Sequence, residues 1–132
     1  MSFLIDTDTC SAYVKGHQVV YNRFLQYAGR LHVSCITMGE LYDWALRARA
    51  SPKRLLSVDG LLNDVTVLNV DLVVARKYGE LQAAFRDGGQ PAPKLDLFIA
   101  STALIHNLTV VTHNTADFMN VPGLSIVDWL AP

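Results

Sequence analysis

Only two cysteines, Cys10 and Cys35, occur in 132 residues, and no Cys/His spacing in the chain would hold zinc. A disulfide framework is excluded, and both thiols are expected to behave as small buried hydrophobes. Charge is sparse as well: 17% of residues are charged and the net charge is −1. No positive field announces a polyanionic partner. That balance disfavours nucleic-acid binding by charge alone, but not an enzyme in which a divalent ion supplies the positive charge. No apolar run reaches the ~20 residues that span a bilayer. The chain opens on a strand-like segment with no basic leader and no cleavage site. These features predict a soluble cytoplasmic protein with no membrane partner. With no repeat, low-complexity tract or linker, residues 1–132 are expected to form one domain.

Hydrophobic residues make up 51% of the chain, enough for a substantial core. Phe3-Leu4-Ile5 is a short apolar run ending at Asp6, the pattern of a strand covered on both faces. Thr9 and Ser11 are candidate caps for a short helix after it. Helical spacing over 17–28 puts Val20, Phe24 and Leu25 on one side, and Gly29 ends it. A second strand is expected over 31–35. Thr37 with Glu40 three residues on is a capping-box pattern, opening a helix that runs to Ala50. Ser51-Pro52 starts another helix. Residues 65–70 form a β-branched strand, and Asp71 caps a long helix ending at Gly88-Gly89. Gln90-Pro91-Ala92-Pro93 is a stiff loop. Residues 95–106 read as an apolar helix, 108–112 as a fourth strand, and 124–127 as a weaker fifth. Alternating strands and helices predict an α/β fold of three layers, a central, mostly parallel sheet of four or five strands flanked by helices.

In such sheets chemistry sits beyond the carboxyl ends of the strands. Asp6 ends the first strand. Glu40 and Asp96 fall in the first turns of two helices, and Asp117 follows the fourth strand. If strands one and four are neighbours, all four acids face one rim. Acids in first helical turns often only cap, and a lone Asp117 would read as a loop acid. Asp6 is harder to dismiss, because an unpaired charge at the end of a doubly covered strand is costly. Four crowded carboxylates repel, and a hard divalent cation, Mg²⁺ or Mn²⁺, relieves that repulsion. The expected arrangement has Asp6 and Asp96 as direct ligands, with Glu40 and Asp117 acting through waters or a second ion. Asp8 reads as a turn residue with a local hydrogen bond.

Four segments resemble the PIN-domain nucleases, and within them the VapC-type toxins of type II toxin–antitoxin pairs. They are Phe3-Leu4-Ile5-Asp6-Thr7-Asp8-Thr9-Cys10-Ser11, residues 33–41 around Glu40, residues 96–104 beginning at Asp96, and residues 108–118 through Asp117. The resemblance runs on to Trp129. It implies a PIN-like fold and an acidic quartet of Asp6, Glu40, Asp96 and Asp117. Thr112 and Asn114 take polar positions beside that quartet. It also implies Mg²⁺- or Mn²⁺-dependent cleavage of RNA, in a structured tRNA or rRNA loop. A cognate VapB-type antitoxin and a homodimer, assembling with the antitoxin as a heterotetramer or larger, are implied as well. Two positions depart from the family pattern. Asn107 replaces a frequent glycine, and Asn tolerates a left-handed cap. His113 replaces a frequent arginine, which removes an expected phosphate contact.

Arg47, Arg49, Lys53 and Arg54 form the densest basic stretch, able to steer RNA or simply to end a solvated helix. Tyr13, Tyr42 and Trp44 are candidates for base or antitoxin stacking, or for ordinary packing. Two rival functions remain. One is a PIN-like module that binds RNA or protein without cutting. The other is a haloacid-dehalogenase-type phosphatase, because Asp6-Thr7-Asp8-Thr9 also fits its Asp-x-Asp-x-Thr opening. The phosphatase needs a lysine after its second motif, and none follows Thr112. On this reading Asp8→Ala abolishes a phosphatase and largely spares a nuclease.

Overall fold

Five short strands, β1 (Phe3–Ile5), β2 (Leu31–Ser34), β3 (Thr66–Leu68), β4 (Thr109–Val111) and β5 (Ile126–Val127), form one sheet in the computed structural model. The structure describes residues 1–90 and 92–132, so Pro91 of the expected stiff loop lies outside the described residues. The sheet order is β3-β2-β1-β4-β5, and all four pairings are parallel. Side chains on a strand alternate between faces. Phe3 and Ile5 therefore enter one apolar cluster and Leu4 the other. The first cluster takes in α1 (Thr7–Val14), α2 (Gln18–Gln26), α3 (Cys35–Ala45) and α4 (Pro52–Leu61). The second takes in α5 (Leu72–Asp87) and α6 (Lys94–His106). Both faces of β1 are thus covered, which is why its sequence is continuously apolar. The three-layer α/β expectation holds.

The chain leaves β1 toward β2 and β3, then returns to the opposite side of β1 as β4. The reversal opens a crevice beyond the carboxyl ends of β1 and β4, the place where open α/β sheets bind ligands. Ile5 pairs with Val111, so the residues that follow, Asp6 and Thr112, arrive side by side.

Three helix starts differ from expectation, two of them for the same reason. Asp6 itself caps α1, accepting from the Thr7 amide; neither Thr9 nor Ser11 does so. Ser34 caps α3 through the Ile36 amide, leaving Thr37 fully buried inside the helix and Glu40 in its second turn, not its first. In both places the strand runs into the helix with at most the cap residue between, so the cap is the polar side chain at the strand's end. Helix α6 starts one residue early, with Pro93 at its cap position and Asp96 in its first turn. Helix α3 stops at Ala45, short of Ala50, because residues 46–49 are exposed and bury no face that could hold another turn. Ser51, Pro52 and Asp71 act as expected. Asn107 adopts φ 54°, ψ 50°, the one non-glycine with positive φ among the described residues.

Candidate active site

Asp6 closes β1 with its side chain only 5% exposed. Its amide donates to Val111 O at 2.8 Å, locking the backbone to β4. Oδ1 accepts from the Thr7 amide and Oδ2 from Thr112 Oγ1, each at 2.8 Å. Its carboxyl is raised to about 6, chiefly by burial and to a smaller extent by the charges of Asp8 and Asp96, against the lowering pull of those two hydrogen bonds.

Asp96 lies in the first turn of α6, close enough for its charge to act on Asp6. Burial again raises its carboxyl to about 6, followed by the charges of Asp117 and Glu40, a hydrogen bond shared with Asp117, and the charge of Asp8. Two carboxyls can share a hydrogen bond only if one is protonated. Asp96 is thus the centre of the cluster, the residue that feels most of the other acids. Glu40 is exposed and is held by Thr7, whose Oγ1 donates to Oε1 at 2.6 Å. The same hydroxyl lies 3.3 Å from Thr37 Oγ1. Asp117 is also exposed; it ends a single 3-10 turn, Thr115–Asp117, and its amide donates to Asn114 O at 3.1 Å.

Among the described residues, no three Asp, Glu, His or Cys side chains close on one point as a finished metal cage. The acids do stand close enough to raise the carboxyls of Asp6 and Asp96. Magnesium does not require a cage: it keeps several waters and binds through one or two carboxylates. An all-oxygen donor set under mutual repulsion suits such an ion in its chemistry, and Asp6, Asp96, Glu40 and Asp117 are the residues that could hold it or its waters.

Two contributors escaped the sequence reading. Thr7 anchors Glu40, and only its position directly after Asp6 hinted at a role. Asp8 is more than a locally bonded turn residue. It does accept locally, from the Thr9 amide at 2.7 Å and Thr9 Oγ1 at 3.1 Å. Its second oxygen, however, accepts from the amides of His113 at 3.0 Å and Asn114 at 3.2 Å. No sequence signal marks a bond to backbone across more than a hundred residues. Thr112 sits on Asp6 directly, whereas Asn114 contributes its amide, shared between Asp8 and Thr112 Oγ1.

The basic stretch is divided. Arg47 lines a cleft of about 680 Å³ together with Glu40, Leu41, Trp44 and Leu95. It also stands 3.7 Å from Asp43. Arg54 lies over the Trp44 ring at 4.7 Å and donates to Trp44 O at 3.3 Å. Arg49 and Lys53 are exposed. The aromatic candidates mostly pack: Tyr13 stacks on Phe24 at 3.7 Å, and Tyr42 donates to Asp59 at 2.7 Å. His113 reaches the carboxyl-terminal segment, its Nδ1 lying 3.0 Å from Asp128. Both cysteines are free.

A parallel sheet with this reversal and acids gathered above it defines a class. The PIN domain family matches residues 3–124, and the chain belongs to that family. Within it, the chain falls among the VapC ribonucleases. It is 32% identical over 130 residues to the tRNA(fMet)-specific endonuclease VapC of Salmonella typhimurium, covering 98% of each. It is 26% identical over 131 residues to Ribonuclease VapC2 of Haemophilus influenzae, covering 98% of this chain and 99% of that one. Its fold matches a chain in the DNA-bound VapBC structure from Salmonella typhimurium with a TM-score of 0.91, at 32% identity and 98% coverage of both. A chain of VapBC2 from Rickettsia felis, bound to a promoter DNA fragment, matches with a TM-score of 0.90 at 25% identity, covering 98% of this chain and 99% of that one. The chain is accordingly a nuclease of the kind that acts on RNA. No helix among the described residues is long and apolar enough to cross a membrane.

Proposed function

We propose that this chain, as one domain, is a Mg²⁺- or Mn²⁺-dependent endoribonuclease and the toxin of a toxin–antitoxin pair. The observation that carries the reading is the crowding at Asp96, whose carboxyl is raised to about 6 by burial and by Asp117, Glu40 and Asp8. Asp6 and Asp96 would hold the ion, with Glu40 and Asp117 available to its waters. When bound, the ion lowers the pKa of a water and stabilises charge developing on the phosphate oxygens. The protein's own residues set the geometry. Thr112 fixes the Asp6 carboxylate, Thr7 fixes Glu40, and the 3-10 turn presents Asp117.

The substrate is a structured RNA loop, with initiator tRNA the first to try, given the name of the Salmonella relative. The partner is a VapB-type antitoxin, as in the VapBC complexes of similar fold, and the pair binds promoter DNA as the Rickettsia complex does. An exposed apolar strip of Leu72, Val73 and Ile105, rimmed by Arg76, Lys77 and Glu80, supports a homodimer. With antitoxin the dimer forms a heterotetramer or larger. The phosphatase reading loses its acid/base, because four donors occupy both oxygens of Asp8. A non-cutting module has no reason to keep four crowded acids.

The test is cleavage of labelled tRNA with Mg²⁺ or Mn²⁺, against EDTA and against Asp6→Asn and Asp96→Asn. Cleavage that needs the metal and both aspartates is expected. Variants that cut as well as the wild type would remove the proposed site.

A further inference from the structure

A carboxylate offers about four lone-pair positions. In Asp8 all four are taken: Oδ1 accepts from the Thr9 amide and hydroxyl, and Oδ2 from the His113 and Asn114 amides. Asp8 therefore has no oxygen to spare for a cation, although it stands two residues beyond Asp6. What it holds is backbone, 105 and 106 residues along the chain. That backbone has left the sheet, since Thr112 N to Val127 O at 3.0 Å is the last bond of β4 to its neighbour's strand end. Beyond it, the described partners of the two amides are Asp8 and, for Asn114, Thr112 Oγ1. The next link is Asn114 O, which accepts from Asp117 N at 3.1 Å and so sets where the 3-10 turn begins.

We infer that Asp8 is a positioning residue of the nuclease site, a clamp on the backbone of His113 and Asn114 that sets the reach of Asp117 toward Asp96. The inference rests on the ribonuclease reading for its effect on catalysis, though not for the clamp itself. The chemistry selects a carboxylate. An asparagine has one acceptor oxygen, and its amide group would point hydrogens at whichever N–H groups the oxygen did not serve. A glutamate adds a methylene and moves both oxygens outward. A favourable charge at the N-terminus of α1 explains the local bonds to Thr9 but not the bonds to residues 113 and 114.

Two measurements on the full chain test this, amide hydrogen exchange and steady-state cleavage, for wild type, Asp8→Ala and Asp8→Asn. The wild type should protect the His113 and Asn114 amides. Asp8→Ala should speed their exchange about tenfold or more while the amides of Val110 and Val111 stay slow, with Asp8→Asn in between. In cleavage, kcat should fall about 10- to 100-fold in Asp8→Ala with KM within about threefold, against the near-normal cutting that the sequence alone predicts for this variant. The bonds to His113 and Asn114 give Asp8 a structural reach, and a small misplacement of one group is costly. Slow exchange retained at both amides in Asp8→Ala overturns the clamp. Fast exchange with kcat within about twofold of wild type overturns the positioning role. If Asp8→Ala loses protection throughout the sheet, Asp8→Asn decides by the same criteria. A wild-type chain that cuts no RNA overturns the ribonuclease reading, and the exchange data still decide the clamp.

Discussion

Thr112 Oγ1 donates to Asp6 Oδ2 at 2.8 Å across 106 positions of sequence, and both residues are buried. Removing the donor while keeping the shape leaves a buried carboxylate oxygen unsatisfied, at a cost of about 1–3 kcal/mol. Thr112→Val should therefore lower stability by about that amount in a denaturant titration at neutral pH, and Thr112→Ser should restore most of it. The same bond lowers the Asp6 pKa, so its loss should move the acid limb of the cleavage profile upward. Equal stability of Thr112→Val and wild type would show the bond to be unimportant in solution.

The acids should make the metal-free protein sensitive to pH in an unusual direction. Asp6 and Asp96 both rise from 3.8 to about 6 on folding. Folding then takes up protons between those values, so stability falls as pH rises through this window and the penalty is complete above it. For Asp6, nearly fully buried, the ceiling is ~3 kcal/mol. Asp96 adds less, because water reaches it and screens it. In EDTA, the melting temperature should increase as pH is lowered from about 7 to about 5. Saturating Mg²⁺ or Mn²⁺ at neutral pH should raise it by mass action and flatten the dependence. A flat profile in EDTA would mean that the cluster is relaxed in solution.

Glu40 is exposed, so its orientation depends on Thr7 and not on packing. Thr7→Val keeps the shape and removes the donor. Cleavage should fall about 10-fold or more, the usual scale for losing a partner behind a metal-binding group, with stability changed by under about 1 kcal/mol. Thr7→Ser should cut nearly normally. Unchanged cleavage in Thr7→Val would place Glu40 outside the working site.

These residues also show what a sequence can and cannot reveal. β1 and its terminal Asp6 were legible because an apolar run ending in an acid has few explanations other than a covered strand opening on a rim. Asn107 was legible because a left-handed position has a short list of tolerated residues. The α3 cap was not. Ser34 and Thr37 are both good caps, and the choice depended on where the strand stopped pairing with β3, a fact held partly by residues 66–68. The Asp8 clamp was hidden for a stronger reason. Its partners are backbone amides, which every residue but proline carries, so His113 and Asn114 leave no trace of the bond in their identities. The acid quartet was recognisable by order and spacing, but its coupling through Asp96 needed the β1–β4 pairing to become visible.

The basic stretch should separate into two behaviours. Arg47 is exposed and lines the cleft that Glu40 also lines, so its cation can meet a phosphate there. Arg47→Ala should raise KM for RNA several-fold, reduce the salt slope of binding by about one, and leave the melting temperature unchanged. Arg54 is half-buried over Trp44 and bonded to its carbonyl oxygen. A stacked guanidinium of this kind contributes about 0.5–2 kcal/mol. Arg54→Ala should therefore act on stability, with KM little changed, and Arg54→Lys should recover it only in part because a lysine cannot both stack and reach the carbonyl. Filter binding across a salt series, run beside thermal melts of the same two variants, separates them. A KM effect from Arg54→Ala with no loss of stability would instead make the whole segment one RNA-steering surface.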